Sequence, residues 1–346
     1  MKIERRVPFQ AATWCFAAFV AYFAATDTLR AEPRLRKVNV LGSAATIVEC
    51  LNAANTVVGY FVDAAGNEHA FFRPIHGAIT AFDVPGASNT VGTSISGRGD
   101  IVGGYSIGSA EIWHAYLRAS DGTLTLFDAP GGDQGTIAAH VNNGGQVAGE
   151  YVDSSRIYIG FLRAADGTIT AFQPQGSIGL IVEDMTNAGV VVGYWLDSNY
   201  TRHGFVRAAD GTITSIDAPG AGSAGTELTG INANGDLTGS HSVGSDPGVD
   251  HAFLRDASGQ FTDFLADRSP TFPVGINGEG TIVGVYETKQ SAFIGFLRYP
   301  DGTLTPFSIG NANMYPRCIN NGGVVAGYLY KPTRHGAKAR GFIGLP

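Results

Sequence analysis

His140, Glu183 and Asp184 are the side chains best placed by type to do chemistry. A histidine exchanges a proton near neutral pH, and a carboxylate beside it can orient the ring or take part in general acid–base catalysis. His140 and Asp184 stand 44 residues apart, so only a fold that brings equivalent positions of a repeat together can join them. Such a pair also serves as an ordinary polar bond between neighbouring units, and catalytic, binding and structural roles all stay open. A second group is aromatic. Trp113, Tyr158, Tyr200 and Tyr330 read as loop aromatics outside any repeat register, and with Trp195 they could stack on a sugar ring. Trp195 shares its repeat position with Phe61, Tyr105, Tyr151 and Tyr286, for which packing between units is the competing role.

Other histidines recur. His69, His114, His203 and His251 hold the same place in their own repeats. They are expected far apart around a ring, where three cannot meet on one metal ion, and hydrogen bonding within each unit is their expected work. The chain has no phosphate loop, zinc-ligand spacing, EF-hand or nucleophile elbow. No cofactor and no metal are expected.

The elements that must position these groups follow from an internal repeat of roughly 45 residues. Seven copies are legible. A first segment ends at Leu51, Ile95, Val141, Met185, Ile231, Ile276 or Ile319. A second carries Gly59, Gly103, Gly149, Gly193, Gly239, Gly284 or Gly327. A third carries Phe71, Tyr116, Phe161, Phe205, Phe253, Phe296 or Phe342. A fourth, in six copies, ends at Phe82, Phe127, Phe172, Ile216, Phe264 or Phe307. Each is a short run rich in Val, Ile, Thr and aromatic residues between Gly, Asn or Asp, which predicts strands. The first landmark stands 8 residues before the Gly in every copy, and the third and fourth landmarks stand 11 apart in every complete one. The remaining two spacings vary. Constant spacing marks hairpins whose register is fixed.

The predicted fold is all-β: a seven-bladed β-propeller with four-stranded blades. The repeats run over about 46–88, 89–134, 135–176, 177–222, 223–268, 269–313 and 314–346. The last repeat lacks a fourth strand, and a closing strand at 37–42 is expected to complete it, because Val38–Gly42 mirrors Phe82–Gly86. The constant hairpins would lie on one face of the disc. The variable loops, and any site, would lie on the other face or at the channel mouth.

Residues 1–31 read as a signal peptide, with Lys2, Arg5 and Arg6 before the apolar stretch from Ala11 to Ala25 and a cut before Glu32. Its removal leaves 19 basic and 28 acidic residues, net −9. That charge argues against nucleic acid or an anionic membrane as partner. A secreted or periplasmic monomer is expected, with no membrane attachment after cleavage. Cys50 and Cys318 hold equivalent places in the first and last repeats, so export could oxidise them into a clasp. Equivalent strands point their side chains the same way, which argues for a separation too long to bridge.

His69-Ala70-Phe71 and His251-Ala252-Phe253, with His203-Gly204-Phe205 close to them, resemble the HAF family of probable extracellular repeats. The resemblance spans nearly all of the chain beyond the leader and implies a bacterial exported protein, with no activity attached. Ile159, Ile294 and Arg340 stand where that pattern has His. The expected function is a non-enzymatic binding or interaction propeller for a glycan or envelope protein. The alternative is a secreted polysaccharide-active lyase or hydrolase at the channel mouth, with His140, Glu183 and Asp184 in the acid–base roles.

Overall fold

The computed structural model describes residues 34–108, 112–244, 250–333 and 336–345; the expected signal segment lies outside them. The described residues form 28 strands and no helix. Consecutive strands pair antiparallel in groups of four, so each repeat makes an up-and-down sheet. The arrangement is that of a β-propeller.

Five sheets have four strands, and one has eight. The eight-stranded sheet joins two consecutive repeats through a single parallel bridge, Arg202 to Gly225. Gly225 permits it, because a Cβ there would run into the Arg202 carbonyl. The repeat glycines work similarly: a Cβ on Gly59 would strike the Ile47 carbonyl across the first hairpin.

The N-terminal strand Arg34–Val38 pairs antiparallel with the C-terminal strand Gly336–Leu345, Val38 opposite Gly341. It occupies the fourth place in the last sheet. The closing strand therefore lies earlier than the expected 37–42. Val38 ends its strand as Phe82 ends Thr80–Phe82, and the matched residues after it form a turn in which Ser43 N–H donates to the Val40 carbonyl.

The core lies between neighbouring sheets. The seven third-strand aromatics, from Phe71 to Phe342, are all fully buried. Fourth-strand rings pack edge-on against them across the seams: Phe82 on Tyr116 at 6.0 Å, and Phe127 on Phe161 at 6.1 Å. Burying a ring of this size is worth roughly 2–3 kcal/mol. The first strands pack side by side in one order, from Ala45–Leu51 through each repeat to Asn313–Ile319, which packs back on Ala45–Leu51.

The repeat asparagines tie these inner strands together. Asn232 Nδ2 donates to the Asn277 carbonyl, Asn277 to Asn320, and Asn320 to Asn52, at 3.0–3.2 Å. Each side-chain oxygen also accepts backbone N–H groups of its own turn, as Asn277 does from Glu279 and Thr281. Cys50 and Cys318 form a disulfide with Cα atoms 5.1 Å apart. That separation suits a disulfide, contrary to the expectation of one too long. The two inner strands stand edge to edge where the ends of the chain meet.

Candidate functional site

Every first strand breaks its hairpin register at the same place. The ladder skips from Val48 to Cys50, from Gly92 to Ser94, from Ala138 to His140 and from Val182 to Asp184, and the other three repeats do likewise. The skipped residues are Glu49, Thr93, Ala139, Glu183, Thr229, Val274 and Arg317. A bulge leaves one residue unpaired and re-aims it. Six of the repeats contribute to one cavity of about 550 Å³, whose walls include Glu49, Thr93, Ala139, Glu183, Val274 and Arg317. Tyr60, Glu68, Trp113 and His140 also line it. Glu68 and Trp113 open their third strands, so the cavity reaches the side of the variable second-to-third-strand loops.

The charges here are walled in by protein yet open to the channel. Arg317 Nε donates to Glu49 Oε2 at 2.9 Å. Glu49 holds the guanidinium pKa above its ordinary value, although burial opposes it. Glu183 forms no ion pair among the described residues, although the Arg317 charge acts on it from a distance. Burial first, then repulsion from Glu227, raises its carboxyl to about 7. Glu227 pairs with Arg202 across the repeat junction. Glu150 accepts a hydrogen bond from Val182 N–H, and burial raises it to about 8 despite that bond. Burial also raises Tyr194, to about 12, and Tyr60. Desolvation lowers His140 more than Asp184 raises it, which favours the neutral imidazole.

His140 and Asp184 do come together across a seam, with Nδ1 to Oδ1 at 3.9 Å. That is ion-pair distance and too long for a hydrogen bond. Asp184 is already engaged: Oδ1 accepts from Met185 N–H at 2.7 Å and Oδ2 from Ile231 N–H at 3.0 Å. Ser94 makes the same seam link, accepting from Val141 N–H at 3.4 Å. The residue after each bulge thus tends to join neighbouring inner strands, and Asp184 works there as a tie. Glu183 projects into the cavity, and among the described residues no hydrogen bond to its carboxyl is formed.

Of the five aromatics, only Trp113 lines the cavity. Trp195 stacks on His203 at 4.5 Å and donates to Ser215 Oγ at 3.1 Å. Tyr158 and Tyr330 are exposed strand residues, and Tyr200 is 75% exposed in a turn at φ 63°. The expectation of loop positions therefore holds for Tyr200 alone. Trp113, Tyr158 and Tyr330 lie in strands, because second and third strands extend past the repeat landmarks.

Sequence reasoning missed Glu150. It follows a repeat glycine, where the other copies place Tyr60, Gly104, Tyr194, Ser240, Val285 and Tyr328. A carboxylate among those neutral groups was a readable signal. It went unread because nothing in the sequence shows which second-strand residues face inward.

No family model matches the chain, and no curated protein matches it in sequence. Solved structures share its architecture at low identity. A streptogramin B lyase aligns with TM-score 0.59 and 15% identity over 90% of this chain and 97% of the lyase. YCF48 bound to a D1 peptide aligns with TM-score 0.53 and 11% identity over 91% and 97%. A puromycin hydrolase aligns with TM-score 0.57 and 13% identity over 84% of this chain but 51% of the hydrolase. At such identities the likeness extends to the propeller fold and no further.

Proposed function

We propose that this chain is an exported, monomeric binding propeller of seven four-stranded blades, which seats part of a glycan or envelope protein in its channel mouth. One observation carries the reading: a single cavity of about 550 Å³, with Trp113 in its wall beside Glu183, His140 and Arg317. An aromatic face with a few polar groups inside a pocket is the usual composition of a recognition site. Propellers in complex with a peptide, as YCF48 is, make such a use of the fold reasonable. The count of seven is supported by the closed order of the inner strands and by the single bridge that merges two repeats into one sheet. Export is supported by the apolar leader and the HAF-like repeats, and puts the protein in the periplasm or outside the cell. Mass spectrometry of the native protein should find a mature N-terminus near Glu32.

A glycan array and an envelope-extract pull-down with the mature chain test the binding reading, each repeated with Trp113→Ala. A saturable partner lost in the variant supports it. No partner at millimolar ligand, or equal binding by the variant, overturns it.

A second reading has its own observation. The Glu183 carboxyl, raised to about 7, shares the cavity with a neutral His140, and a raised carboxyl is what a general acid requires. A polysaccharide lyase or hydrolase would use Glu183 as acid and His140 as base. Turnover of a bound glycan, abolished in Glu183→Gln while binding persists, would favour this reading over simple recognition.

A further inference from the structure

One repeat departs from the others at three linked positions of its outer strands. Where the other copies place Phe61, Tyr105, Tyr151, Trp195, Tyr286 or Leu329, the fifth has His241. Where they place Ala81, Leu126, Ala171, Ser215 or Pro306, it has Asp263. Where His69, His114 and His203 find an aspartate 14 residues on, His251 finds Leu265. The fifth repeat has therefore lost the usual partner of its histidine and gained two other ligand-type residues.

Strand geometry puts all three on one face. His241 lies directly opposite His251. Asp263 lies opposite Phe253, two residues along the same strand from His251. Side chains alternate with a period of two, so 251 and 253 share a face, and so do their partners. One donor atom from each of His241, His251 and Asp263 lies within 4.8 Å of the others. His241 Nε2 is 3.1 Å from Asp263 Oδ2. Donors around one tetrahedral zinc ion stand roughly 3.3 Å apart. Asp263 is exposed and His251 half-buried, so small side-chain rotations close the difference.

His241 itself is 3% exposed, and its Nδ1 is buried with no hydrogen-bond partner. If Nε2 keeps the proton and donates to Asp263, Nδ1 is a buried lone pair without a donor. If Nδ1 keeps it, the Nε2 lone pair faces the Asp263 carboxylate. A cation between the Nε2 lone pair and the carboxylate relieves the second arrangement, with the ring proton on Nδ1. Asp263 also borders a surface pocket of about 470 Å³ shared with Pro219, Gln260 and Phe261, which gives an ion and a water ligand a way in.

We propose that His241, His251 and Asp263 form a three-ligand site for a divalent transition-metal ion of the zinc class, with a fourth position open to the pocket. Nitrogen and carboxylate donors in equal reach suit zinc or cobalt(II) and disfavour calcium, which takes oxygen ligands. The site is separate from the channel and independent of what the channel binds.

The test is titration of the chelator-treated full chain with cobalt(II) and zinc(II). It is repeated on His241→Phe and Asp263→Ala, which install residues found at these positions in other repeats. One equivalent of cobalt should bind with the visible absorption of a tetrahedral site and be displaced by zinc. Affinity should fall by about 100-fold or more in each variant. Zinc should raise the melting temperature of the wild-type chain and leave that of Asp263→Ala unchanged. If His241→Phe does not fold, Asp263→Ala decides alone, since its exposed side chain leaves the core intact. No stoichiometric binding by the wild-type chain, or undiminished binding by a folded variant, overturns the proposal.

Discussion

The outer strands and the channel wall both carry histidines and carboxylates, and they use them in opposite ways. On the outer strands, His69, His114 and His203 sit 2.9, 2.8 and 3.0 Å from Asp83, Asp128 and Asp217. Each ring also lies against an aromatic neighbour: Phe61 at 5.0 Å, Tyr105 at 5.2 Å and Trp195 at 4.5 Å. The residue recurs, and so does its partner. Around the channel the backbone bulge recurs while the side chain does not. The same backbone position presents Glu, Thr, Ala, Val or Arg. Repetition of a side chain together with its partner marks a group that holds the fold. Repetition of the backbone alone marks a place free to specialise.

Substitutions should separate the two regions. The largest effect belongs to the shared core. Phe253→Ala should lose about 4 kcal/mol, read from the urea midpoint, because the ring is fully buried. Asn277→Ala comes next, at about 2 kcal/mol. It removes one of two donors to the Asn320 carbonyl, which keeps Gly323 N–H, and leaves two turn N–H groups without their acceptor. Neither change should alter the cavity's affinity for a ligand once the protein is folded. His69→Ala should cost under about 1 kcal/mol, since the pair with Asp83 is partly exposed and screened by solvent. A larger loss would mean that the outer pairs do more than tie strands together.

Glu183→Gln should act with the opposite sign, and its size should depend on pH. Below about pH 4.5 the folded and unfolded chains both keep this proton. Between there and about pH 7 the unfolded chain releases it while the folded chain retains it, so stability falls as pH rises through that window. Glu150 extends the fall to about pH 8. Glutamine removes the Glu183 share. The melting temperature of the variant should therefore drop less than that of the wild-type chain between about pH 5 and 8. Equal drops would show that Glu183 is ionised in the folded channel.

The layout of the fold was legible because hairpin turns are local. Constant spacings from Leu51 to Gly59 and from Phe71 to Phe82 reported two registers directly. The completing strand was legible from Val38–Gly42, although that pattern describes the turn after the strand and misplaced the strand itself. The site was half legible. His140, Glu183 and Asp184 stood out by residue type. The bulge that turns some of them inward and leaves others as ties has no sequence mark of its own. Glu150 and His241 escaped for a related reason. Both lie on second strands, and whether such a residue faces channel, neighbour or rim is set by how sheets pack together. Trp195, a conspicuous residue type in a repeated position, stacks on His203 and lies outside the cavity lining.

The most direct test is calorimetric titration of the partner found by array or pull-down into wild-type chain, Trp113→Ala and Tyr200→Ala, with melting temperatures alongside. If the channel mouth is the site, Trp113→Ala should lose about 1–3 kcal/mol of binding, while Tyr200→Ala binds like the wild-type chain and all three melt alike. Undiminished binding by Trp113→Ala, with loss in Tyr200→Ala, would contradict the account and move recognition to the outer loops.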